Sequence, residues 1–176
     1  MVPLVSRTGR LLQRYNEEDH RLVVGCIPYR YKNGKGFTPN DEDVDDLEVL
    51  VISSKKNQAM MFPKGGWELD ESVEEAASRE SLEEAGVLGH VECELGRWIF
   101  KSKTREIYHQ CFMFPLLVTQ QLDLWPEKTS RKREWMAVAK ARDVCQQWWM
   151  KEALDILVDR LKSAASLTRE NQDQLM

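Results

Sequence analysis

The chain has 176 residues, enough for one domain that buries its own core. Its ordinary globular composition and net charge of −4 argue against general nucleic-acid binding, and no apolar run approaches the length of a membrane span. Cys26, Cys93, Cys111 and Cys145 are scattered without a CxxC, and His20, His90 and His109 form no HExxH. Free buried thiols in a reducing compartment, with no zinc site, is the reading that follows.

Residues 1–16 carry Arg7, Arg10 and Arg14 as their only charged side chains. Drawn as a helix, the arginines share one face, while Leu4, Leu11, Leu12 and Tyr15 share another. Two readings stand side by side. One is a mitochondrial presequence, with Pro3, Gly9 and the short length against it. The other is an ordered arm whose arginines touch substrate. Residues 1–19 form this arm or targeting segment, 20–162 the domain, and 163–176 a polar, flexible tail. The basic arm points to mitochondria, with cytoplasm or nucleus as the alternative.

Within His20 to Tyr31 the run Leu22 to Ile27 is a buried strand. Residues 32–46 form a loop. Its acids Asp41, Glu42, Asp43, Asp45 and Asp46 lack EF-hand spacing and read as solvated charge. Leu47 to Ser53 is a β-branched second strand. Met60 to Pro63 leads into Gly65-Gly66, a tight turn. Ser72 is an N-cap, Glu74 and Glu75 suit a first helical turn, and Gly86 is a helix stop. Val91 to Phe100 and Gln110 to Thr119 read as strands joined by a basic connection, Lys101 to His109. Trp135 to Val138 is a short strand. From Ala141 to Leu161 the stripe Val144, Trp148, Ile156 and Leu157 predicts a helix packed on the core. Strands outnumber helices, so the fold class is α/β: a mixed sheet between helices.

Glu80, Glu83 and Glu84 stand at i, i+3 and i+4, so three carboxylates project from one helix face. Like charges so close repel. A divalent cation between them accounts for the arrangement, and all-oxygen ligands point to Mg²⁺ or Mn²⁺. Gly65, Glu71, Arg79, Glu80, Glu83, Glu84 and Gly86 fill every fixed letter of the Nudix signature G-x5-E-x7-R-E-U-x-E-E-x-G-U. Val87 satisfies the final apolar position, and Ser81 departs from the earlier one. The chain thus resembles Nudix hydrolases over roughly residues 20–160. The resemblance implies the Nudix fold and hydrolysis of a diphosphate linked to another moiety. It also implies metal held by Glu80 and Glu84, with Glu83 as general base. Arg79 paired with Glu71 would be structural.

Phe62-Pro63-Lys64-Gly65-Gly66, Leu95-Gly96-Arg97 and Arg131-Lys132-Arg133-Glu134-Trp135 look like the plant-type diphosphoinositol polyphosphate phosphohydrolase branch. That resemblance implies substrate contacts at Lys64, Gly65, Gly66, Arg131, Lys132 and Arg133, with Arg10, Arg21 and His109 beside them. Gln110 stands where another basic residue is expected. The implied activity is Mg²⁺-dependent cleavage of diphosphoinositol polyphosphates and of diadenosine polyphosphates, with a small-molecule polyphosphate substrate as partner and no nucleic acid or membrane. One rival is a hydrolase of ADP-ribose, dinucleotides or nucleoside-diphosphate sugars, with Trp67 or Trp98 clamping a base. Another is a catalytically silent polyphosphate-binding regulator, against which the intact carboxylate trio argues.

Overall fold

The computed structural model describes residues 5–7, 9, 11–32, 46–56, 58–102 and 106–175. Arg10 and most of the acidic loop lie outside the described residues, as do Lys103 and Arg105 of the basic connection.

Strand β1 (Arg21–Tyr31) is the axis of the sheet. It pairs in parallel with β7 (Tyr108–Gln121) and antiparallel with β2 (Leu47–Ser53) and β4 (Lys64–Gly66). β3 (Met60–Met61) and β8 (Arg133–Ala137) join β2, while β5 (Val87–Val91) and β6 (Gly96–Lys101) join β7. One parallel pair among antiparallel ones makes the sheet mixed, as expected.

Both faces of the central strands are apolar, so both must be covered. Val23, Ile27 and Tyr29 of β1 meet Leu47, Val49 and Val51 of β2 in one core cluster, under helices α2 (Val138–Val144) and α3 (Trp148–Leu175). The alternate residues Val24, Cys26, Leu50 and Ile52 form the second cluster, under α1 (Val73–Ala85). Ala76 and Ala77 are fully buried there. Their small side chains bring the α1 backbone close to the sheet and place its acidic face at the sheet margin.

Four local expectations change. The strand expected over Val91 to Phe100 is two strands, β5 ending at Val91 and β6 beginning at Gly96. Val138 opens α2 instead of closing a strand. The C-terminal helix breaks at 145–147, where Cys145 is extended, and its buried stripe is Trp149, Met150, Ala153, Leu154 and Leu157. Of the expected stripe, Leu157 is wholly buried and Val144 packs against the core, but Trp148 is 56 % exposed and Ile156 37 %, so those two positions were out of phase. The break resets the phase: the wholly buried Trp149 ring stacks on Phe100, centroids 4.6 Å apart and planes at 10°. Residues 163–175 are not a separate tail but a continuation of α3. The segment has no Gly or Pro, and Ala164, Ala165 and Leu167 favour helix.

The described part of the N-terminal arm is not helical. Residues 11–16 stitch the start of β1 to the loop after β4. Arg14 N–H donates to Trp67 O at 3.0 Å, Leu22 N–H to Arg14 O at 2.9 Å, and Leu69 N–H to Leu12 O at 2.7 Å. Among the described residues, no helix is long and apolar enough to cross a membrane.

Candidate active site

Helix α1 is anchored at both ends. Ser72 Oγ accepts from Glu75 N–H while Glu75 returns a bond to Ser72 N–H, a full capping box. At the other end Gly86 is left-handed (φ 66°) and its N–H donates to Leu82 O at 3.0 Å. Glu80, Glu83 and Glu84 are all buried along this rigid rod.

Gly65 and Gly66 are not the expected tight turn but part of strand β4, paired with Val24 and Val23 of β1, and this glycine strand presses on those carboxylates. A Cβ on Gly65 would overlap the Glu80 carboxylate, so no other residue fits without moving it. Lys64 N–H donates to Glu84 Oε2 at 3.0 Å. Arg79 forks onto Glu71 at 2.7 and 2.9 Å and donates to Gly66 O at 2.9 Å, tying the end of β4 to the helix. Its remaining nitrogen reaches Glu80 at 2.8 Å and Glu83 at 3.2 Å.

Burial sets the charge states. Desolvation, reinforced by Glu84, raises the Glu80 pKa above the ordinary range. Desolvation also raises Glu84, against the pull of the Arg131 guanidinium 3.1 Å away. Glu83 moves the same way, chiefly through burial, opposed by its bonds from Arg7 and Arg79. Glu71 behaves oppositely. Burial opposes its ionisation, but the Arg79 fork more than offsets this and lowers its pKa.

Do these residues fit a divalent cation? Among the described residues, no three His, Cys, Asp or Glu side chains converge on one point. Mg²⁺ does not require three. It is commonly held by one or two carboxylates, with water and substrate phosphate completing the octahedron. Glu80 and Glu84 supply hard oxygens, and burial, which raises their pKa values, leaves their charge poorly solvated, a cost that a bound cation would offset. The donor set fits.

The other sequence-predicted residues divide. Arg131 is largely buried and joins the cluster, touching Glu84 and donating to Glu127 at 3.0 Å and Ser53 O at 3.0 Å. Lys132 is exposed, its N–H bound to Ser53 Oγ at 2.9 Å. Arg133 turns to the backbone at the C-terminal end of α1, just past Glu84. There it donates to Ala85 O at 3.0 Å, Gly86 O at 3.2 Å and Leu122 O at 2.6 Å, and lies 3.8 Å over Trp125. Arg21 and His109 are register partners on β1 and β7, and Arg21 donates to Gln13 Oε1 at 2.8 Å. Gln13 in turn fills the space a Cβ on Gly66 would need. Neither tryptophan is placed to clamp a base. Trp67 packs edge-on against Phe112 under Arg14, and Trp98 is buried with its Nε1 donating to Glu152 at 2.8 Å.

Three participants escaped the sequence reading. Arg7 N–H donates to Glu83 Oε1 at 3.0 Å, while its guanidinium pairs with Glu68 and with Asp70 at 2.9 Å. Ser6 Oγ donates to Glu127 at 2.8 Å. Glu127 is buried, and its N–H donates to Glu83 O at 3.0 Å. Arg7 was visible only as one arginine of a basic arm, and Glu127 carries no local signal.

A model of the NUDIX domain matches residues 17–157. "Nudix hydrolase 17, mitochondrial" of Arabidopsis thaliana is 61 % identical over 173 residues, covering 98 % of this chain and 92 % of the relative. Diphosphoinositol polyphosphate phosphohydrolase 2 of Rattus norvegicus is 32 % identical over 159 residues, covering 89 % and 79 %. Among solved structures, the binary complex of a C. elegans Ap4A hydrolase superposes with a TM-score of 0.60 at 20 % identity, covering 81 % of this chain and 98 % of that one, a likeness of fold. The matched span contains the whole sheet, helix α1 and its carboxylates, and on that footing the chain belongs to the Nudix family of hydrolases.

Proposed function

We propose that this protein hydrolyses phosphoanhydride bonds in small molecules that carry a crowded run of phosphates: diphosphoinositol polyphosphates, and long diadenosine polyphosphates as well. The observation that carries this reading is the one-sided assembly at the α1 margin. Glu84 on the buried acidic face of α1 bonds Lys64 N–H and the Arg131 guanidinium, and these two residues line a hollow with Lys55 and Lys56, in a chain that is acidic overall. The rat relative's name supports the inositol substrates.

A bound divalent cation, Mg²⁺ or Mn²⁺, would neutralise phosphate oxygens and orient the attacking water. Glu80 and Glu84 hold it. Glu83 takes the water's proton, and its raised pKa brings it nearer the working pH of a general base. Arg79 and Glu71 brace the end of β4. Lys64, the backbone at Gly65 and Gly66, Arg131 and Lys132 meet the phosphates, with Arg21 and His109 at the sheet end. Arg133 serves the fold, since its guanidinium is committed to backbone carbonyls. The protein works in mitochondria, a reading supported by the name of its 61 % identical relative and by the arginine-bearing arm.

The test is phosphate release from a diphosphoinositol pentakisphosphate, diadenosine hexaphosphate and ADP-ribose, with Mg²⁺, with EDTA, and with Glu83→Gln. Metal-dependent release from the first two, lost in the variant, is the expected result. Release from ADP-ribose alone would keep the hydrolase and reject the polyphosphate site.

A further inference from the structure

Two hollows meet beside the carboxylates. One, of about 450 Å³, is walled by Lys64, Phe100, Lys101, Tyr108, His109 and Trp148. The other, of about 380 Å³, holds Lys55, Lys56 and Arg131. Lys64 and Gln147 line both, so the hollows adjoin.

Their chemistry differs. In the second, Lys55 and Arg131 pair with Glu127, while Lys56 and Lys64 add cationic lining. The first adds aromatic rings. Tyr108 is 48 % exposed and Trp148 56 %, large costs for side chains at the ends of rigid elements. Trp148 opens α3 and is held there by the buried Trp149–Phe100 stack. Tyr108 opens β7, its ring centroid 5.6 Å from that of His20. Lys64 Nζ stands 5.8 Å from the Phe100 ring centroid. Among the described residues, Lys56, Lys64 and Lys101 make no ion pair.

A phosphorylated inositol ring is puckered and polar, and offers no flat face to such rings. A nucleobase does, and stacking is tolerant of base identity. We infer that the hollow at Tyr108 and Trp148 is a subsite for the base of a nucleoside polyphosphate, whose phosphate chain runs past Lys64 toward Lys55, Lys56 and Arg131. This rests on the polyphosphate reading of the same site and adds what selects among polyphosphates. Trp148 and Tyr108 bind the base and take no part in the bond cleavage.

The experiment compares full-length wild type with Trp148→Ala and Tyr108→Ala on two substrates, diadenosine hexaphosphate and a diphosphoinositol pentakisphosphate. The ratio of kcat/KM for the first over the second is expected to fall about 5- to 100-fold in each variant, the range set by loss of one stacked base. Trp148→Phe, which keeps a stacking face, is expected to restore most of the ratio. An unchanged ratio, whether both rates fall together or neither moves, overturns the subsite. A titration with AMP, read by tryptophan fluorescence, stands apart from turnover. Quenching present in wild type and absent in Trp148→Phe supports the subsite even if neither substrate is cleaved, an outcome that would sink only the polyphosphate reading. No Trp148-dependent quenching, with no shift in the ratio, leaves the hollow without a base to bind.

Discussion

The backbone N–H of Arg7 lies 3.0 Å from Glu83 Oε1, so the N-terminal arm rests on the carboxylate assigned as general base. Ser6 and the Arg7 side chain fasten the same strap to Glu127, Glu68 and Asp70. Deleting residues 1–10 removes these bonds while leaving the 11–16 stitching intact. The Arg7 cation leaves the acidic cluster with them, so Mn²⁺ binding at Glu80 and Glu84 is expected to tighten about 2- to 10-fold. Calorimetric titration of Mn²⁺ measures this directly. Weaker binding in the truncated chain would mean that the arm helps build the site.

Burial raises Glu80 and Glu84 above the usual glutamate range, so the folded chain retains protons that the unfolded chain gives up. Their contribution to stability is complete below about pH 4.5 and is lost as pH climbs through their folded pKa values. Without metal, Glu80→Gln is therefore expected to be more stable than wild type at pH 7.5, by about 1–3 kcal/mol, and nearly equal to it at pH 4.5. Thermal melts in EDTA at the two pH values read the difference. Adding Mg²⁺ should raise the wild-type Tm and leave the variant almost unmoved.

Glu83→Gln is expected to lower kcat by about 10²–10⁴-fold with little change in KM, the mark of a lost proton acceptor. Arg79→Ala should fail differently. It strips Glu71 of a buried partner and releases Gly66 O, at a cost of about 3–5 kcal/mol. Arg79→Lys keeps the charge but not the two-pronged fork, and should recover only part of the stability. Chemical denaturation separates this structural loss from the kinetic one in Glu83→Gln.

The run Arg131 to Arg133 is predicted to split by role. Lys132→Ala should raise KM for polyphosphates and leave Tm alone, because its side chain is exposed. Arg133→Ala should lower Tm and leave KM alone, because Leu122 O and the end of α1 lose their donor. Paired melting and steady-state measurements on the two variants check the division.

Burial pushes the Cys26 and Cys111 thiols up to about 12, and Cys145 is raised as well, while Cys93 is exposed. At pH 7.5 a thiol reagent should therefore modify Cys93 quickly and the other three only on unfolding. Counting reacted thiols by mass spectrometry, before and after denaturant, gives the answer.

What the sequence determined by itself is local and periodic. Glu80, Glu83 and Glu84 share a face because a helix returns every 3.6 residues, and Ser72 and Gly86 bound that helix through their own backbone chemistry. The span of β2 was legible from its β-branched run. Arg79 and Glu71, close in sequence, were matched as a pair and meet at 2.7 Å. Tertiary structure decided what depends on distance along the chain. Nothing near Trp148 or Trp149 says which of the adjacent rings faces the core, because the break at Cys145 resets the helix phase. Nothing in Arg131-Lys132-Arg133 says that one guanidinium reaches the Glu84 carboxylate and the other the backbone carbonyls of Ala85 and Gly86 just beyond it. Alternation into β8 sets Lys132 apart from its two neighbours, and only packing against the C-terminal end of α1 determines what each arginine meets. Arg7 and Glu127 reach the carboxylates from opposite parts of the chain. Long-range contacts of single residues leave no periodic trace, so folding alone brought them together.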